Sequence, residues 1–198
     1  MLFKTTAFQT LEKTDSAKIL IISDSHGSKE SLEQAIKRFG SDCAALLFCG
    51  DGMEDLVSLI EEDFHQDQQH KFMPACVFFA RGNGDDYSIQ LATDKISRLS
   101  VEDFKIVEAA GKKIFLTHGH LFGAGYGVSE LIQEAKIQRC QIAIFGHTHV
   151  PYCKVQDNVL LINPGSCTRP RQGSPKSCCV LTIKKDSPQC DCQFFTID

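Results

Sequence analysis

The chain has 198 residues, 42% hydrophobic and 23% charged, with a formal charge of -4 at pH 7. That is enough apolar side chain for one substantial core, so residues 1–198 are expected to form a single domain, with 1–17 as an N-terminal extension. The slightly acidic balance excludes the electrostatic footprint of a general nucleic-acid binder, and no apolar run is long enough to span a membrane.

Met1 to Ala17 mixes polar residues with isolated Phe3, Phe8 and Leu11, and reads as a tail or an extra edge element without chemistry. Lys18 to Ser23 is an apolar strand that runs straight into Asp24-Ser-His26-Gly27. A carboxylate and an imidazole two residues apart at a buried strand end are costly unless something compensates them, and a metal ion would. Ser28 is placed to cap a helix whose Leu32, Ala35, Ile36 and Phe39 share one face, with Gly40 ending it. Ala44 to Cys49 is a second apolar run, ending in Gly50-Asp51-Gly52, and Met53, Leu56, Val57, Ile60 and Phe64 repeat the helical stripe. His65 to His70 reads as a solvated loop.

Ala75 to Ala80 is a third run, ending in Arg81-Gly-Asn83-Gly-Asp85. Three strands ending in Asp-x-His, Gly-Asp-Gly and Gly-Asn, with helices between them, converge on one sheet edge, where open α/β folds bind ligands. Tyr87 to Glu102 has no clean period and reads as a connecting segment with room for a short helix. Phe104 to Glu108 and Lys113 to Thr117 pair around Ala110-Gly111, and the second strand ends in His118-Gly-His120. Gly123, Gly125 and Gly127 lack the Lys-Ser/Thr partner of a P-loop, so this stretch reads as a mobile loop over the site.

Ser129 is a candidate cap for a helix buried through Val128, Leu131, Ile132 and Ala135. Ile142 to Phe145 is a further strand, ending in Gly146-His147-Thr-His149. Tyr152 to Val155 and Val159 to Ile162 form a hairpin around Asp157-Asn158. Asn163-Pro-Gly-Ser166 is a tight turn, and strands near Cys178 to Ile183 and Cys192 to Ile197 close the chain. Of the ten cysteines, Cys43, Cys49, Cys76 and Cys140 read as small core residues. Without a secretory leader pattern the thiols are expected to be reduced and the location cytoplasmic. Cys190-Asp-Cys192 has no partnering pair at zinc-ligand spacing, so no structural zinc is expected.

Asp24-Ser-His26, Gly50-Asp51, Gly82-Asn83, His118-Gly-His120 and Gly146-His-Thr-His149, in this order, resemble the motif set of the calcineurin-like metallophosphoesterases. Asn163-Pro-Gly-Ser166 and Pro170-Arg171 bring the match closest to the small single-domain members, often described as phosphodiesterases. The resemblance spans roughly Lys18 to Ile183. It implies a four-layer α-β-β-α sandwich, with two mixed β-sheets face to face and helices outside.

Carried over residue by residue, the resemblance implies one metal on Asp24, His26, Asp51 and His149. A second would sit on Asp51, Asn83, His118 and His147, with Asp51 bridging. Mixed carboxylate, amide and imidazole donors suit borderline divalent ions, Mn²⁺ first, with Ni²⁺, Fe²⁺, Zn²⁺ and Mg²⁺ as alternatives. The expected reaction is attack of a metal-bridging hydroxide on phosphorus with departure of an alcohol, and Asn83 and His120 are the candidate catalytic and substrate-binding side chains. Many relatives place a His directly after the ligand Asn as a candidate proton donor; here that residue is Gly84, which leaves His120 as substitute acid or as a supporting residue behind the ligands.

The expected partner is a small phosphoester, with nucleotide-derived substrates in range, no membrane, and a homo-oligomer compatible with the sequence. Two other readings stand beside the phosphodiesterase: a phosphomonoesterase, and a non-enzymatic protein-binding scaffold like the retromer subunit of the same fold.

Overall fold

The computed structural model describes residues 5–92 and 97–198. Its first sheet is built on β1 (Ser16–Ile22), which pairs in parallel with β2 (Ala45–Phe48) and through it with β3 (Cys76–Phe79). On its other side β1 pairs antiparallel with β11 (Ser177–Lys184), which carries the edge strand β12 (Asp191–Thr196). The second sheet runs β6 (Phe104–Ala109), β7 (Lys112–Thr117), β8 (Ile142–Ile144), β10 (Val159–Pro164), β9 (Pro151–Gln156), with β7, β8 and β10 parallel and the outer pairs antiparallel.

The period-2 alternation of side chains explains how the sheets stack. Ile19, Ile21, Ala45 and Leu47 face Val107, Ile114, Leu116, Ile142 and Ile144 in the core between the sheets. Their strand neighbours Leu20, Ile22, Leu46 and Phe48 point outward, under α2 (Lys29–Phe39) and α3 (Met53–His65). On the far side Phe115, Ala143 and Leu161 meet α4 (Ser129–Ile137) through Leu131, Ile132 and Ala135. Strands buried on both faces read as continuous apolar runs, which is why these were legible. The result is the expected four-layer sandwich of two mixed sheets flanked by helices.

Several local expectations differ. Of the N-terminal stretch, expected as a tail or an extra edge element, Thr5–Lys13 forms helix α1, whose Leu11 is buried in the core between the sheets and accepts the Ala110 N–H through its carbonyl. Within Tyr87 to Glu102 there is a two-stranded antiparallel ribbon, β4 (Ser88–Gln90) on β5 (Arg98–Ser100), and no helix among the described residues; 93–96 lie outside them. Ile89 and Val101 anchor the ribbon in the core that includes α3 side chains. Three-residue strands give too few alternations to register as a period.

Ser28 occupies the N-cap position of α2 as expected but makes no side-chain cap bond, and the cap expected of Ser129 does not form. The Ser28 hydroxyl lies 3.1 Å from Ser31 Oγ instead of bonding the helix backbone, and Ser129 is already the first helical residue, behind Val128. The Asp157-Asn158 hairpin turn is as expected, with both residues at positive φ, as a tight primed turn requires. Among the described residues no helix is long and apolar enough to cross a membrane.

Candidate metal centre

Parallel strands end on a common edge, and here β1, β2 and β3 deliver Asp24 and His26, Asp51, and Asn83 to the edge where β7 and β8 deliver His118, His120, His147 and His149. Backbone hydrogen bonds tie the strand ends together: Asp24 N–H to the Gly50 carbonyl, His26 N–H to that of Asp51, and Gly146 N–H to that of His118. Five of the seven candidate ligands have left-handed backbone, Asp24 (φ 60°), His26 (46°), Asp51 (55°), His147 (66°) and His149 (61°). Such conformations cost about 1–2 kcal/mol each outside glycine, persist only where surroundings over-determine them, and cluster at functional sites.

The side chains converge tightly. Asp24 Oδ1 is 3.1 Å from His149 Nε2 and 3.7 Å from His26 Nε2, and the two imidazole nitrogens lie 3.1 Å apart. Asp51 Oδ2 lies 3.8 Å from His26 Nε2 and 3.5 Å from His118 Nε2, so one oxygen faces both histidines, while its Oδ1 accepts the Gly84 N–H at 2.7 Å. Asp24, His26 and His149 form one group able to hold an ion, and Asp24, Asp51 and His118 another.

His147 stands just outside these groups. Its ring centroid is 5.2 Å from that of His118, and its backbone N–H donates to Asp24 Oδ2. Asn83 is exposed at the same rim, between two glycines packed on Asp51. A Cβ on Gly82 would sit 2.1 Å from Asp51 Oδ1, so only glycine lets the third strand end approach this closely.

Second contacts set the tautomers. His118 Nδ1 donates to the Cys49 carbonyl and His149 Nδ1 to the Arg169 carbonyl, each at 2.6 Å. A carbonyl only accepts, so in each neutral ring Nε2 turns its lone pair toward the centre. Burial would raise the Asp24 carboxyl, but the close polar contact with His149, the charges of His118 and His149, and the Ser23 hydroxyl together hold it below its ordinary value. His149 is raised: burial lowers it, and contact with ionised Asp24 outweighs the burial. Burial pushes His26 and His147 down, which keeps their lone pairs free near neutral pH.

Despite the short His149 contact, Asp24 Oδ1 has no aligned hydrogen bond, and His118 Nε2 likewise has none; both atoms are buried. An orphaned buried polar group costs about 1–3 kcal/mol, a deficit that a cation between them would remove. Two carboxylates and four imidazoles, with an amide at the rim, are also the donor set of a borderline divalent ion. The residues present therefore fit a divalent metal.

Sequence reasoning passed over the groups that build this floor. The Asp85 carboxylate accepts four backbone N–H bonds, from Asp51 (2.7 Å), Gly52 (2.8 Å), Met53 (2.9 Å) and Gly82 (2.9 Å). Arg81, buried, bonds Asp103 at 2.7 Å and stacks on the Tyr87 ring, and its Nη2 lies 3.4 Å from His120 Nε2. Asn163 donates to the Gly146 carbonyl and accepts the Gly165 N–H, while the hydroxyls of Ser166 and Thr168 donate to the Asp24 carbonyl. The Asn-Pro-Gly-Ser turn thus ties the His147–His149 loop to the Asp24 loop. Asp85 had a local signal, a carboxylate just after the glycine turn, and Asn163-Pro-Gly-Ser166 was legible as a turn though not in this role.

Hydrogen bonds to charged groups contribute about 1.5–3 kcal/mol each and four are lost together, so Asp85→Ala is expected to lower the melting temperature by more than about 10 °C and to loosen Asp51. A melt of the two proteins under identical metal conditions checks this.

Two clefts open beside the centre. One, about 390 Å³, is lined by Gly125, Val128, Phe145, His147, Tyr152 and Arg171. The other, about 350 Å³, is lined by His26, Asp51, Gly84, Asp86, Ile89 and Arg169. The Gly123–Gly127 stretch lies at the first of them, through Ala124 and Gly125, with Tyr126 fully exposed.

The domain model of the calcineurin-like phosphoesterase superfamily matches residues 17–186. The probable metallophosphoesterase YsnB of Bacillus subtilis is 30% identical over 171 residues, covering 85% of this chain and 86% of the relative. The phosphodiesterase MJ0936 of Methanocaldococcus jannaschii is 30% identical over 174 residues, covering 85% and 95%. Among solved structures, a conserved uncharacterized protein of Streptococcus pneumoniae, described as a predicted phosphoesterase, aligns with a TM-score of 0.69 at 24% identity over 92% of this chain and 91% of that one. Vacuolar Protein Sorting 29 of Cryptosporidium parvum aligns with a TM-score of 0.66 at 16% identity, over 92% and 98%. Those two likenesses speak for the fold; the match over residues 17–186 goes further, and the chain belongs to the calcineurin-like phosphoesterase superfamily.

Proposed function

We propose that the chain is a binuclear metal-dependent phosphodiesterase, its 198 residues acting as one domain. Asp24, His26, Asp51 and His149 would hold one divalent cation, and Asp51, Asn83, His118 and His147 a second, with Mn²⁺ as the favoured ion. The shared role of Asp51 is supported by its Oδ2 facing both His26 and His118. Bound there, the cations supply Lewis-acid polarisation of the phosphoryl oxygens and a hydroxide nucleophile near neutral pH.

The rest falls to side chains. Asn83, exposed at the rim, donates its amide to a phosphoryl oxygen as negative charge builds there. His120 Nε2 faces the Arg81 guanidinium, which only donates, so the imidazole proton sits on Nδ1, a buried atom without a hydrogen-bond partner. Burial, then the charges of His118, Arg81 and His147, push this histidine down, which keeps the ring neutral. The ring is therefore a weak acid, and it reaches the ester as a hydrogen-bond donor only by turning its buried Nδ1–H toward the leaving oxygen. Arg169 and Arg171, at the two clefts, attract the anionic substrate.

The observation that carries the diester reading is the pair of clefts, one touching His147 and the other touching His26 and Asp51. A phosphorus held at the ligands has a separate place for each ester arm. The test is a panel of model diesters, monoesters and nucleotides with Mn²⁺-loaded protein. Faster turnover of diesters supports the proposal; faster turnover of monoesters assigns the phosphomonoesterase; no turnover with metal bound leaves the scaffold.

A further inference from the structure

Away from the metal centre, four cysteines scattered in sequence come together. Cys153 is on β9 and Cys192 on β12, the edge strands of the two sheets; Cys179 is on β11, and Cys190 immediately precedes β12. Cys179 is fully buried in the core between the sheets, and Cys190 and Cys192 pack against it from partly exposed positions. In the β11–β12 ladder Cys192 lies opposite Leu181 and Cys179 opposite Phe194, so the two cysteines are diagonal neighbours on one face. Their sulfurs are 3.1 Å apart, and Cys153 lies near enough to Cys192 for the two thiols to influence each other electrostatically.

We propose that this cluster is a peroxide-reactive modification site in which Cys192 is the attacking thiol and Cys179 the thiol that closes a disulfide with it. Cys192 stands apart from the other cysteines: the hydrogen bond from Cys179 first, and the nearby Cys153 thiol, hold its thiol below the ordinary value against the opposing effect of burial. Burial pushes Cys43 and Cys140 up to about 11 and Cys178 to about 12, and Cys49 well above its usual range, so they are poor nucleophiles. Cys192 is in addition partly exposed whereas Cys179 is fully buried, so of the two Cys192 is the one that solvent approaches.

The chemistry balances. The Cys192 thiolate attacks one oxygen of hydrogen peroxide, an S–O bond forms, the O–O bond breaks and hydroxide leaves, giving a sulfenic acid. Cys179 Sγ then attacks Cys192 Sγ; the S–S bond forms, the S–O bond breaks, and the departing hydroxide takes the Cys179 proton as water. Two thiols lose two electrons in all, peroxide accepts them, and two waters result. The sulfurs need to close by about 1 Å to reach bonding distance.

The test is mild peroxide treatment of the full-length, metal-loaded protein, alkylation of the remaining thiols and peptide mapping, which needs no variant. Expected is the loss of two thiols per chain and one linked pair, Cys179 to Cys192, with Cys192 reacting on the order of tenfold faster than Cys43 or Cys140. Cys179→Ser should leave Cys192 as a sulfenic acid that dimedone captures, and Cys153→Ser should leave the linked pair intact. A pair that joins other cysteines, or oxidation spread evenly over the thiols, would overturn the assignment.

Discussion

Asp51→Asn is expected to abolish binding at both metal positions and to lower hydrolysis by at least about 10²–10³-fold, the scale on which loss of one electrostatic stabiliser is felt in an enclosed site. The substitution preserves size, so the Gly84 N–H still has an oxygen to bond. The amide nitrogen is then turned toward His26 and His118, where Asp51 Oδ2 now lies 3.8 Å and 3.5 Å from their Nε2 atoms. A donor replaces an anionic acceptor that faces one histidine from each proposed ligand set.

His26→Ala removes a partly exposed imidazole from one group only, and water can take its place. That variant should keep close to one tightly held ion and part of the activity. Metal analysis of the two purified variants after equilibration with Mn²⁺ separates the cases; equal losses would contradict the proposed sharing.

The second large effect concerns the leaving group. Gly84 has no side chain to protonate a departing oxygen, and His120 is held neutral beside Arg81. A nitrophenolate leaves without a proton near neutral pH, whereas a simple alkoxide requires one, so rates on a series of diesters should climb by orders of magnitude as the leaving alcohol becomes more acidic. His120→Ala should slow alkyl esters more than aryl ones, because a hydrogen bond to the leaving oxygen matters most where charge builds most. Rates flat across the series would show that chemistry is not limiting. An equal loss on both ester types would make His120 a supporting residue for its neighbours.

The ligand-bearing strand ends were legible because each combines a continuous apolar run with a turn bearing Asp, Asn or His, and parallel pairing then leaves only one edge for them. Phe48 and Asp51, or Ile144 and His147, are close enough in sequence for the pattern to be local. What holds those residues in place was not legible. Asp85 acts on backbone N–H groups up to 34 residues away, which a side-chain pattern cannot register. Arg81 reaches His120 across the two sheets, a distance that only the stacking defines. Helix α1 was missed because its sequence mixes Thr, Gln, Glu and Lys with few apolar residues, one of which, Leu11, is buried in the core between the sheets. The thiol cluster draws on three strands and spans 39 positions, from Cys153 to Cys192, with no spacing a zinc motif would show.

The most direct measurement is a titration of chelator-treated protein with Mn²⁺, following bound metal and hydrolysis of bis(p-nitrophenyl) phosphate in the same samples. The proposed function predicts no turnover without metal and an activity that rises until about two ions are bound per chain. Saturation at one ion, or full loading without hydrolysis, would contradict it.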